Sequence, residues 1–173
     1  MVKLKSLAIL GREEVLRLEE DVKEKLLEEA VRRTGIPRDR WIIRDILPAT
    51  DLGLATESWS FDYTAANAEN RVISIQLPDR KFIIFFKVAV LDPNPAAVYV
   101  KFRTGKTGAT IKDVLHLEDL YVLREPEAYL EEPILYTAND WVIIDIYARA
   151  TKTGERIVLG GYVAELRGET ITV

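Results

Sequence analysis

The 173-residue sequence predicts a mainly β fold: an antiparallel two-sheet sandwich of jelly-roll type, preceded by one long amphipathic helix. Three observations predict it. After Pro37 the chain carries about eight or nine short runs rich in β-branched and aromatic residues, separated by turn signals at the spacing of a sandwich or barrel. No helical segments alternate with these runs, which argues against a parallel sheet. Before Pro37 the apolar residues instead repeat at three- and four-residue spacing.

In chain order, Val2, Leu4, Leu7 and Ile9 give a broken alternation that fits a short strand or an extended arm. From Gly11 to about Arg33 the stripe Val15, Leu18, Val22, Leu26 and Ala30 predicts a helix, widened by Leu16, Leu27 and Val31. Glu13 and Glu14 at its start and Arg32 and Arg33 at its end complement the helix dipole, and Gly35 with Pro37 stops it. The division is an N-terminal arm and helix at 1–36 and one sandwich domain at 37–173. Two placements of the helix stay open: across its own sheet, or reaching a neighbouring subunit.

Trp41–Ile46 is a short apolar run, and in Glu57–Thr64 the residues Trp59, Phe61 and Tyr63 alternate with polar ones. Arg71–Leu77 and Lys81–Leu91 flank Pro78-Asp79-Arg80, which reads as a hairpin turn. Val98, Val100 and Phe102 alternate with Tyr99, Lys101 and Arg103 before Gly105-Lys106-Thr107-Gly108 turns the chain into Thr110–Leu117. Glu118–Pro133 is less regular and acidic. Trp141–Leu166 reads as a closing hairpin around Lys152-Thr153-Gly154-Glu155, which would set Tyr147 opposite Val158 and Ile143 opposite Tyr162.

The composition, 48% hydrophobic and 30% charged, is globular. Interspersed charge, 24 basic against 28 acidic residues with a net −4, excludes nucleic acid as an expected partner. No run approaches the ~20 apolar residues of a membrane span and Met1–Leu10 is no signal peptide, so neither membrane insertion nor export is expected and the default location is cytoplasmic. One Met, no Cys and abundant Arg, Glu, Ile and Val match the bias of thermophile proteins.

Catalytic signals are few. Without Cys, thiol chemistry and thiolate metal sites are absent, and the lone His116 lies between Leu115 and Leu117 in a strand context. There is no Gly-x-Ser-x-Gly elbow, and Gly105–Gly108 lacks P-loop spacing. Asp45, Asp51, Glu57, Asp62, Glu131, Glu132 and Asp145 are the carboxylates near strands that acid–base work would have to draw on. Asp92, Asn94 and Asp140 sit in turns that suit calcium or simply suit turns. Trp59, Phe61 and Tyr63 would serve either as a sugar-stacking platform or as core. The expectation is a non-enzyme with no cofactor and no metal, and a carbohydrate-binding module is the alternative class.

The most informative pattern is strands apolar on both faces. Lys81–Leu91 carries Phe82, Ile84 and Phe86 on one parity and Ile83 and Phe85 on the other, while Trp141–Arg149 sets Val142, Ile144 and Ile146 against Trp141, Ile143 and Tyr147. Such area exceeds what a soluble monomer exposes, which predicts self-association. The candidate interface residues are Trp141, Ile143, Tyr147, Val158, Tyr162, Ile83 and Phe85, with Leu18, Val22 and Leu26 of the helix.

The C-terminal half, with Glu132-Pro133-Ile134-Leu135-Tyr136, Asn139-Asp140-Trp141 through Ala148, and Gly160-Gly161-Tyr162-Val163-Ala164-Glu165, resembles the last strands of jelly-roll proteins of tailed virus particles. The resemblance implies a capsid decoration or minor structural protein located in the virion. Its partners would be copies of itself, a trimer by preference, and a larger protein shell.

Overall fold

The computed structural model describes residues 4–6, 10–123 and 126–173, so Val2, Leu7 and Ile9 of the expected N-terminal alternation lie outside the described residues. In chain order the elements are β1 (Leu4–Ser6), α1 (Arg12–Thr34), β2 (Trp41–Asp45), α2 (Pro48–Leu52), β3 (Phe61–Tyr63), β4 (Ala68–Gln76) and β5 (Phe82–Val90). They continue with β6 (Ala97–Thr104), β7 (Thr110–His116), α3 (Glu118–Leu123), β8 (Glu127–Tyr136), β9 (Trp141–Ala148), β10 (Lys152–Glu155) and β11 (Ile157–Leu166).

Two antiparallel sheets face each other: a five-stranded one in the order β1-β8-β5-β11-β2, and a four-stranded one in the order β4-β9-β6-β7. The short pair β10-β3 stands apart from both. The long strands pair from the outside of the sequence inward: β2 with β11, β4 with β9, β5 with β8 and β6 with β7. That is the pairing of one long hairpin folded over into two sheets.

This pairing corrects two sequence expectations. Trp141–Leu166 is not a hairpin: β9 lies in the four-stranded sheet and β11 in the five-stranded one, so Tyr147 does not oppose Val158, nor Ile143 Tyr162. The linker crosses between sheets because β10 pairs with β3, and the buried Glu155 carboxylate accepts the N–H groups of Ala96 (2.5 Å) and Ala97 (3.2 Å). Likewise β4 and β5 part at the Pro78 turn, where Arg80 adopts a left-handed φ of 64°. The β6–β7 hairpin stands as expected, with the Gly108 N–H donating to Gly105 O at 2.8 Å.

The two-sided apolar strand is explained inside the chain. Phe85 pairs with Gly161 and Lys87 with Gly160, which leaves Phe86 as an extra, bulged residue. Before the bulge Ile83 and Phe85 face the core between the sheets; after it Val88 and Val90 do. Phe82, Ile84 and Phe86 point the other way, under α1. The helix covers that face with Val15, Val22, Leu26 and Ala30, all buried, and Phe86 stacks on Tyr162 at 5.1 Å. Of the two placements for α1, the one across its own sheet is what the chain adopts, and the candidates Ile83, Phe85, Tyr162, Val22 and Leu26 are buried within one subunit rather than displayed.

The helix ends follow the residues that flank it. Glu14 Oε2 accepts the Gly11 N–H at 3.2 Å, and Gly35, at φ 69°, donates its N–H to Val31 O at 2.8 Å. β8 occupies part of the stretch read as irregular. Its Glu131-Glu132-Pro133 segment breaks the alternation, and the pairing with β5 skips from Ile134 to Tyr129 there.

Candidate functional site

α1 covers one outer sheet face, and the other, on β4-β9-β6-β7, carries a set of interacting polar and aromatic side chains. The register arranges them in rows across the strands. One row runs Glu69, Tyr147, Tyr99, His116, and the next Arg71, Asp145, Lys101, Val114. In a third row Arg103 lies beside Ile143 on one side and Ile111 on the other. The opposite parity, Val100, Phe102, Val142, Ile144 and Ile146, fills the core, which is why these residues point outward.

Two carboxylates organise the face. Asp145, only 3% exposed, receives Arg71 Nε at 2.9 Å and lies 2.7 Å from Arg103 Nε. Glu69 accepts from Tyr99 Oη at 2.9 Å and Arg103 Nη2 at 2.9 Å, and also from Lys101. Burial pushes the Glu69 carboxyl up, but Lys101, Tyr99 and Arg103 together outweigh it and hold the group below its ordinary value. The Tyr99 hydroxyl is pushed up to about 12, by burial first and then by its bond to Glu69. Tyr99 and Tyr147 stack at 5.1 Å and 18°, with the His116 ring 5.8 Å from Tyr99. Charges and rings are thus held in fixed positions, and Trp, Tyr and Arg are the residue types that dominate binding at protein interfaces.

Of the ten sequence candidates, this face holds three: Trp141 and Tyr147, both half-buried, and Ile143. Ile143 is fully buried beside the Gly108 turn. Val158, half-buried, belongs to β11 in the other sheet, and Leu18 packs half-buried on the helix–sheet core. Trp59, Phe61 and Tyr63 do not form an exposed platform: Phe61 and Tyr63 are 2% exposed and Trp59 packs against the core.

A second polar cluster lies at one end of the five-stranded sheet. Arg44 grips Asp51 through Nη1 (2.6 Å) and Nη2 (2.8 Å), and Glu165 through Nε (2.8 Å). The fully buried Lys81 ammonium contacts Asp51 at 2.6 Å and donates to Ile171 O at 2.5 Å. Burial raises the Asp51 carboxyl, but Arg44, Lys81 and the Leu47 N–H prevail and hold it below the usual range. Every member has an opposite charge in reach, so the cluster joins α2, β2, β11 and the C-terminal segment. Nothing local in the sequence marks it: Arg44 and Glu165 are 121 residues apart.

Four of the remaining sequence candidates tie down backbone groups. Glu57 accepts the N–H groups of Ala49 and Thr50, Asp62 that of Gly154, Asp92 that of Asn94, and Asp140 that of Thr137. Lys152 reaches Asp92 at 2.8 Å and Asn94 O at 2.5 Å, so an ammonium occupies the Asp92–Asn94 turn. A cleft of about 400 Å3 between the end of α1, β7 and β8 mixes Arg33 and Lys112 with Asp113 and Glu132. Among the described residues no three His, Asp or Glu side chains gather as metal ligands, and no helix is long and apolar enough to cross a membrane.

No family model, curated protein or solved structure matches this chain.

Proposed function

We propose that this chain is a non-enzymatic jelly-roll protein, a capsid-associated subunit of the decoration or minor-capsid type. It associates through the outer face of its four-stranded sheet and stabilises a larger protein shell, which would place it in the virion. The observation that carries the reading is the nested pairing of β2 with β11, β4 with β9, β5 with β8 and β6 with β7 across two facing sheets. That order suits a jelly roll, an architecture common among capsid and lectin domains. Fold alone does not decide between those two, so the choice rests on the surfaces. A lectin reading drew on the Trp59, Phe61 and Tyr63 row, whose members pack into the core, whereas the face with Trp141, Tyr147, Tyr99, Arg71 and Arg103 has the composition of a protein contact.

The function on this reading is binding. Burial of contact area, worth roughly 25 cal/mol per Å2 before association costs, would be shared with the shell. The test is co-sedimentation of the purified chain with virus-like shells assembled from the major capsid protein of a tailed virus. Pelleting with the shell, lost on Tyr147→Glu, is expected. A chain that stays in the supernatant at every ratio of shell to protein overturns the proposal.

A further inference from the structure

We infer that residues 168–173 form a releasable strap, which lifts from one end of the five-stranded sheet and uncovers the ammonium of Lys81 while both sheets stay folded. Lys81 is then a gated acylation site, protected by a contact within its own chain. The inference does not depend on which face of the sandwich meets a shell. Lys81 has no exposed surface, a state a lysine adopts only when it is paired. Two groups enclose its ammonium: the Asp51 carboxylate at 2.6 Å and Ile171 O at 2.5 Å. Asp51 is itself fully buried on α2, whereas Ile171 belongs to a segment that runs over the surface. The strap is therefore what stands between the ammonium and water.

That segment is tied down lightly. Thr170-Ile171-Thr172-Val173 is a β-branched run that favours extended backbone, yet no strand includes it. Among the described residues its hydrogen bonds to the body of the sandwich, besides the one from Lys81, are Thr170 Oγ1 to Glu165 at 3.2 Å and the Val173 N–H to Thr50 O at 3.1 Å. Gly168, Glu169, Thr170 and Thr172 are exposed, and Ile171 and Val173 are half-buried. Segments with so few buried contacts open at a free energy far below that of global unfolding. Gly168 supplies the pivot: its φ is 81°, and a Cβ there would meet no atom within 4 Å. Lifting the strap takes Ile171 O from Lys81, while Arg44 still holds Asp51 through Nη1 and Nη2 and Glu165 through Nε. β5, which begins at Phe82, stays between β8 and β11. The open state is a folded sandwich with one newly accessible amine.

Acetylation of the full chain by the N-hydroxysuccinimide ester of acetic acid tests this. The deprotonated amine attacks the ester carbonyl, an amide N–C bond forms as the C–O bond breaks, N-hydroxysuccinimide leaves, and the amine's proton passes to buffer. Peptide mass mapping follows Lys81, with the exposed Lys112 as the reference. Lys81 should react more slowly than Lys112, at a rate that stays flat across low urea, while hydrogen exchange of the β5 amides rises steeply with urea. Thr170→Val and Val173→Pro each remove one tie of the strap and should quicken Lys81 by about fivefold, with the flat urea dependence kept. Circular dichroism verifies that both variants fold. Acetylation of Lys81 that follows the urea dependence of β5, that matches Lys112 in the wild type, or that neither variant quickens overturns the strap.

Discussion

Ile143 and Tyr147 lie on the same side of β9, yet the same substitution should have different consequences at each. Ile143 is fully buried beside the Gly108 turn, so Ile143→Glu places a carboxylate where the neighbouring cations are already engaged: Arg71 and Arg103 serve Asp145. Unfolding, or a loss of several kcal/mol in urea titration, is the expected outcome. Tyr147 is half-buried and stacked only on Tyr99, so Tyr147→Glu should stay folded with a near-native melting temperature while losing its contacts. Equal melting temperatures for the two variants would refute this difference. Gly161 offers a second case at this scale. A Cβ there would lie 2.0 Å from the backbone oxygen of Ile84, because the chain passes tightly beside the Phe86 bulge. Gly161→Ala should therefore cost at least ~2 kcal/mol in chemical denaturation. Sequence parity separated the faces of β9 correctly, but could not tell which outward residue a turn would cover.

At the scale of elements, α1 was legible because its stripe, its charged ends and Gly35 are all local signals, and each appears in the structure. The β6–β7 hairpin was legible for the same reason. The partners of β4, β5, β9 and β11 were not, because a turn signal shows where the chain reverses and not whether the next strand joins the same sheet. Glu155, through contacts 58 and 59 residues away in sequence, and the β10–β3 pair decide that for β9 and β11. The outward row Tyr99, Lys101, Arg103 was visible as an alternation, yet its meaning depends on Glu69 and Asp145 from two other strands. The two-sided apolar pattern of β5, one of the two strands that predict association, is satisfied by α1 on one side and by the facing sheet on the other. Leu26→Ala, at a position with no exposed surface on the helix–sheet contact, should accordingly cost about 2–5 kcal/mol whatever the oligomeric state. A cost that varied with protein concentration would instead tie the helix to a neighbouring subunit.

At the scale of the whole molecule, two ion networks hold the sandwich at different places, and both make stability depend on pH in the same direction. Asp51 and Glu69 are held below their ordinary values when folded, so between the folded and unfolded values the unfolded chain binds more protons. Their contribution is complete above the unfolded carboxylate range near ~4 and is lost as pH falls through the folded values. Urea unfolding followed from neutral to acid pH should therefore show a plateau and then a fall below about pH 4. Asp51→Asn should flatten that fall, because it removes one of the groups that titrates. It should also lower the plateau by about 3–5 kcal/mol, since Arg44 and Lys81 both lose their shared anion in a buried place. Lys81→Met should cost less than Asp51→Asn, because Arg44 keeps its two bonds to Asp51 and the methionine stem fills the lysine's space. If Lys81→Met proved the more damaging of the two, the bond from Lys81 to Ile171 O, and with it the anchoring of the C-terminal segment, would be the dominant function of the cluster.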